Sequence, residues 1–151
     1  MKTRIFFERI KAVESEQRIA ALAVGRFMEA TQHTPLLLSN HGLRDRDVRE
    51  CQRHLEGTYV IRLFAEFEIA LRFIWQHVRH SPNPPRTQIS RLMDAMVARH
   101  HVPTDAAQAA HDVREYRNDL VHQGPPRTLL TIAESRSRLC NFLKFMPHYW
   151  S

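Results

Sequence analysis

The chain has 151 residues, 43% of them hydrophobic and 25% charged, a balance that supplies a core and excludes wholesale disorder. Only four glycines occur and the prolines are clustered, so long stretches run unbroken and helices are favoured over many short strands. The formal charge of +6 suits a polyanionic partner, nucleic acid first among them.

Arginine makes up 19 of the 22 basic residues. Its planar fork grips phosphate through two parallel hydrogen bonds, which lysine cannot do. Arginine-rich codon usage would give the same bias with no such partner. Cys51 and Cys140 stand apart with no zinc spacing, as expected of a reduced, cytoplasmic compartment. Glu8, Lys11, Glu14 and Glu16 break up the start of the chain, so no apolar leader is expected there. No apolar run reaches the roughly eighteen residues of a membrane span.

In chain order, the first helix is expected from about Arg4 to about Thr31, with Phe6, Ile10, Val13, Ala20, Val24 and Phe27 at three- and four-residue steps. A loop follows to about Arg44, marked by Pro35, Asn40 and Gly42. The longest helix is expected from about Asp45 to about His80, with a stripe of Val60, Leu63, Phe64, Phe67, Ala70, Leu71, Ile74 and Val78. Gly57 is a candidate bend or break in its first third. The run Ser81-Pro82-Asn83-Pro84-Pro85 ends this helix.

A third helix spans about Thr87 to about His100, with Ile89, Leu92, Met93, Met96 and Val97 on one side. Asp105 and Gln108 have capping-box spacing at the start of a fourth, which runs to about His122 and stops at Gly124-Pro125-Pro126. The last helix begins near Arg127 and carries Leu129, Ile132, Ala133, Leu139 and Leu143. Short connections between amphipathic helices predict an all-α, antiparallel bundle of four or five helices, a single domain over residues 1–151.

The fourth helix breaks its own pattern. At about 100° per residue, Ala106, Ala109, Ala110, Val113, Tyr116, Leu120 and Val121 fall within about 140°, and Arg117 projects near the middle of that apolar arc. A guanidinium there is costly unless something faces it: a carboxylate, a bound anion or a second subunit. Glu66 and Glu68 flank the apolar stripe of the second helix, and one of them is the expected partner, Glu68 ahead of Glu66. Glu68 also has the spacing of an intrahelical pair with Arg72.

His111, Glu115, Asn118 and His122 form a second stripe at steps of four, three and four. Asn118 and His122 lie one turn apart, whereas Arg117 and His122 are about 140° apart on an ideal helix. They converge only if the helix loosens at its end or a neighbour closes the site. Such a set suits RNA cleavage. Histidine exchanges protons near neutrality during attack by a ribose 2′-hydroxyl, arginine stabilises charge on phosphorus, and asparagine orients the phosphate or the imidazole. An internal nucleophile needs no metal. The plain alternative is structural: an arginine near a helix C-terminus pairing with a neighbouring carboxylate, and a histidine in a helix-capping sequence.

The run Tyr116-Arg117-Asn118-Asp119-Leu120-Val121-His122, ending a helix and followed by Gln123-Gly124-Pro125, resembles the R-polar-x3-H motif of the HEPN superfamily. A long second helix with Phe67-Glu68 and Leu71-Arg72, a proline-rich turn, the motif helix and a final helix extend the likeness over most of the chain. The resemblance implies a helical bundle that dimerises through its motif helices, with a composite cleft at the junction. It implies a metal-independent endoribonuclease of toxin–antitoxin, phage-defence or RNA-processing systems. Arg117 and His122 then match the catalytic pair and Asn118 the polar residue, with Asp119 beside it.

His111 and Glu115 would face the partner subunit, and Arg114 and Arg127 would hold RNA backbone. Some relatives carry, two residues after the motif histidine, a tyrosine that a nucleotidyltransferase modifies; here Gly124 stands there, which argues against that route of silencing. An antitoxin or other regulatory protein is still an expected partner. Non-catalytic members that bind nucleotide or protein are the alternative reading.

Other features point less far. His77 with His80, and His100 with His101, lack a second ligand pair, so no metal or other cofactor is expected. Phe145, Tyr149 and Trp150 read as packing groups rather than base-stacking platforms. No glycine-rich phosphate loop, serine elbow or pair of catalytic carboxylates occurs.

Overall fold

The computed structural model describes residues 3–80, 83, 86–126 and 128–148, which form six helices and no strand. The bundle is all-α, as expected, with α1 (Arg4–His33), α2 (Leu36–Asn40), α3 (Asp45–Val78), α4 (Ile89–His100), α5 (Thr104–Val121) and α6 (Ile132–Leu143). The extra element is α2, a five-residue helix in the expected loop. Among the described residues no helix is long and apolar enough to cross a membrane.

α1 and α3 run antiparallel, tied by Arg9 to Glu66 at 2.8 Å and by Arg62 to Glu16. The expected α3 stripe is buried from Val60 to Ile74, with Val78 half-buried at its end. Phe67 meets Phe142 of α6 edge-on, with ring centroids 5.5 Å apart, and Phe6 of α1 meets Phe73 at 5.4 Å. Against this core α5 lays Ala106, Ala110, Val113 and Tyr116, as expected, together with Ala107. Ala109 is only half-buried, and Val121 is exposed at 44%. The buried face of α5 is therefore turned slightly from the expected arc and ends before the motif does.

Three local expectations are corrected. Gly57 does not break α3, which is continuous over 34 residues. Asp105 does not cap α5, because the helix already begins at Thr104 after Pro103, and Gln108 donates to Asp112 at 2.9 Å instead. α6 begins at Ile132, leaving Leu129 outside it and 77% exposed. Of the proline-rich turn only Asn83 belongs to the described residues, and Tyr149 and Trp150 lie outside them. Phe145 is 37% exposed.

Burial is uneven along the two long helices. In α1 the buried residues are Phe6, Ile10, Val13 and Glu14, all in its first half, while Ala20, Val24 and Phe27 are half-buried. In α3 only Val48 is buried before Val60. The far halves thus form a two-helix arm, with a shallow cavity of about 370 Å³ lined by Ala23, Val24, Phe27, Leu43, Asp47, Val48 and Cys51.

Candidate functional site

α3 places the last turns of α5. A Cβ added at Gly57 would meet Leu120 Cδ2 at 3.0 Å, so the missing side chain lets the end of α5 close onto α3. Two turns further along α3, the ring of Phe64 lies beneath the Arg117 guanidinium, 5.9 Å from centroid to Cζ. Arg117 is half-buried, and its Nη1 donates to Asn118 Oδ1 at 3.0 Å.

The expected carboxylate partner is absent. Glu68 accepts from Arg72 Nε and Nη2 at 2.9 and 2.6 Å, so the intrahelical pair forms in place of a link to Arg117. Glu66 is held by Arg9. No acidic side chain among the described residues makes an ion pair with Arg117, and its buried Nε has no hydrogen-bond partner. A cation over a ring contributes about 0.5–2 kcal/mol, least at the edge of its range near 6 Å. An unsatisfied buried donor costs about 1–3 kcal/mol, and more when charged. Packing against Phe64 therefore leaves Arg117 with an unmet demand for an acceptor.

His122 caps α5. Its amide donates to Asn118 O at 3.0 Å, and its side chain is exposed. The helix closes with Gly124 N donating to Asp119 O at 3.2 Å and Gln123 N donating to Leu120 O at 3.4 Å. This is a Schellman turn. Its left-handed residue is Gln123, at φ 54°, rather than Gly124. The turn fixes the backbone on which His122 sits, so the helix end is closed in a defined turn rather than loosened.

The remaining site residues divide. Asn118 joins Arg117, and Asp119, half-buried, contributes its carbonyl to the turn. His111 reaches α4 of its own chain, where its Nε2 hydrogen-bonds Asp94 Oδ1 at 3.0 Å and ties α4 to α5. Glu115 is more exposed and pairs with Arg114. Arg114 is half-buried, with its Nε unpartnered and its Nη2 bound to Glu115. Arg127 lies outside the described residues.

Phe64 and Tyr116, read from their spacing as core residues, both bear on the site. Burial pushes the Tyr116 phenol above its ordinary pKa, with the Glu56 carboxylate adding to the effect, so it stays protonated at neutral pH. The histidine pairs form no metal cluster with other ligands among the described residues. Val121, next to His122, and Leu129, seven residues beyond His122 along the chain, are both exposed apolar side chains. Comparison of the chain with protein-family models, curated proteins and solved structures gives no match.

Proposed function

We propose that the chain is a metal-independent endoribonuclease of the HEPN kind, acting in the cytoplasm as a homodimer and as a toxin or phage-defence effector. The observation that carries the reading is Arg117: a half-buried guanidinium with no carboxylate, an unsatisfied Nε, and Asn118 beside it. A phosphate supplies the acceptors that site lacks. His122, one turn beyond Asn118 and open to solvent, supplies the proton-transfer group.

In this mechanism the ribose 2′-oxygen attacks the adjacent phosphorus as its proton passes to a base. The bond from phosphorus to the 5′-oxygen breaks, and that oxygen takes up a proton. The products are a 2′,3′-cyclic phosphate and a 5′-hydroxyl. His122 acts as general acid or base, Arg117 stabilises charge on the phosphoryl oxygens, and Asn118 orients the phosphate. A second copy covering Val121 and Leu129 brings a second motif to the same cleft, which answers the angular separation of Arg117 and His122. An antitoxin or other regulatory protein would then act on that cleft.

The test is cleavage of several labelled RNAs in EDTA by wild type, His122→Ala and Arg117→Ala. Wild type is expected to produce cyclic-phosphate ends, and each variant to lose at least about a hundredfold in rate, the lower end of what general acid–base catalysis contributes. Wild type no more active than His122→Ala on every RNA overturns the enzyme reading.

A further inference from the structure

Most arginines in this protein are already engaged. Of the 19, twelve lie against a carboxylate: Arg4, Arg9, Arg18, Arg26, Arg44, Arg49, Arg53, Arg62, Arg72, Arg114, Arg136 and Arg138. The stretch from the end of α3 through α4 is different. Arg79, Arg86, Arg91 and Arg99 are all exposed, and none forms an ion pair among the described residues. The one acidic residue between Arg79 and His101 is Asp94, and His111 occupies it at 3.0 Å.

Packing positions the chain that carries these four cations. The Arg79 guanidinium lies over the Trp75 ring, 4.9 Å from its centroid. Arg72 Nη1 donates to the carbonyl of Thr87 at 3.1 Å, which draws the segment next to Arg86 back onto α3. On α4, Leu92, Met93 and Met96 are buried, while Arg91, Asp94, Ala98 and Arg99 are exposed. Arg91 and Arg99 are eight residues apart, about 12 Å along the axis and about 80° apart in azimuth, so both project from the outer face.

We infer that this α3–α4 surface is the backbone-holding track for single-stranded RNA, separate from the Arg117–His122 site and supplying the electrostatic attraction that α5 does not. The inference rests on the ribonuclease reading of that site. α5 itself carries Asp105, Asp112, Glu115 and Asp119 against Arg114 and Arg117, so a polyanion is not drawn to it by net charge. Four unpaired arginines are suited to phosphates, and their engagement releases counterions. An anionic membrane fits less well. Helices that lie in a bilayer surface insert bulky apolar side chains beside their basic ones, and the outer face of α4 offers only alanine there.

The experiment measures binding of a fluorescent 2′-O-methyl oligouridine by anisotropy, across a salt series. This ligand keeps the phosphates and cannot be cleaved by 2′-hydroxyl attack, so binding is read independently of catalysis. Wild type is compared with Arg91→Glu/Arg99→Glu and with Arg26→Glu/Arg46→Glu, a control of equal charge change on the arm. The α4 pair is expected to weaken binding at least about tenfold and to reduce the salt slope by about 1.4, the value for two single-strand phosphate contacts. The control should stay within about threefold of wild type. Circular dichroism and melting of both variants confirm the fold.

Equal binding by the two double variants, or no binding by wild type, overturns the inference. So does wild type that prefers phosphatidylserine vesicles to the oligonucleotide and loses that preference in the α4 pair. Loss of cleavage with retained oligonucleotide binding in His122→Ala would instead report on the catalytic site alone.

Discussion

Gln123 is the residue on which the end of the motif helix turns. At φ 54° an L-residue with a Cβ carries a penalty of about 1–2 kcal/mol that glycine does not. Gln123→Gly also loosens the unfolded chain, which offsets part of the gain. The expected outcome is a stabilisation of about 0.5–1 kcal/mol in urea denaturation, with the m-value unchanged. A loss of stability would mean that the Gln123 side chain makes a contact the helix end depends on. Glycine spacing pointed to Gly124 as the stop; in the turn the amide of residue 124 reaches Asp119, and the left-handed position falls one residue earlier, at Gln123. The same limit applies to Arg117. That it stands on an apolar face was legible from helical spacing, because the period fixes azimuth. That no glutamate meets it was not, because Glu68 had two partners at plausible separations and the nearer one, a turn away on its own helix, took it.

At the scale of elements, helix starts are set by side chains that satisfy the first free amides. α6 does this three ways. Thr131 N donates to Glu134 Oε2 at 2.8 Å, Glu134 N donates to Thr131 Oγ1 at 3.1 Å, and Ile132 N donates to Glu56 Oε1 of α3 at 2.9 Å. Thr131→Ala removes the acceptor for the Glu134 amide and should cost about 1 kcal/mol. Its pH dependence has a definite sign. The Thr131 backbone amide, with its hydroxyl second, holds the Glu134 carboxyl below its ordinary value of 4.5. Glu134 therefore adds stability above that value, and the contribution fades as pH falls through the lower folded-state value. Glu134→Gln should flatten this acid limb, read as melting temperature between about pH 5 and pH 2; an unchanged limb would place the acid sensitivity elsewhere. The Thr-x-x-Glu spacing was present in the sequence, yet the diproline before it drew the expected start to Arg127. At α5 the reverse happened: Asp105 and Gln108 had the right spacing, but Thr104 is already helical, so Asp105 sits inside the first turn.

At the scale of the whole molecule, the bundle is covered unevenly because its helices differ in length. α1 and α3, of 30 and 34 residues, extend for about 45 and 51 Å, whereas α4, α5 and α6 reach only about 18, 27 and 18 Å. The apolar period of α1 continues from Phe6 to Phe27, so sequence alone gave no reason to divide it. Which part of a stripe is covered depends on how far its neighbours extend. The arm also differs in charge: from Glu16 to Glu56 six arginines face six acidic residues, so the net +6 lies in the rest of the chain. With Val48 its one buried apolar residue outside the core cluster, the arm has little hydrophobic burial to resist opening. Native-state hydrogen exchange should separate the two halves. Amides from Val60 to Ile74 are expected to open only with global unfolding, whereas those from Ala20 to Ala30 and from Arg49 to Thr58 should open at least about 3 kcal/mol more easily, a protection more than a hundredfold lower. Uniform protection along α1 and α3 would contradict this, and would mean that the arm folds and unfolds as one unit with the core.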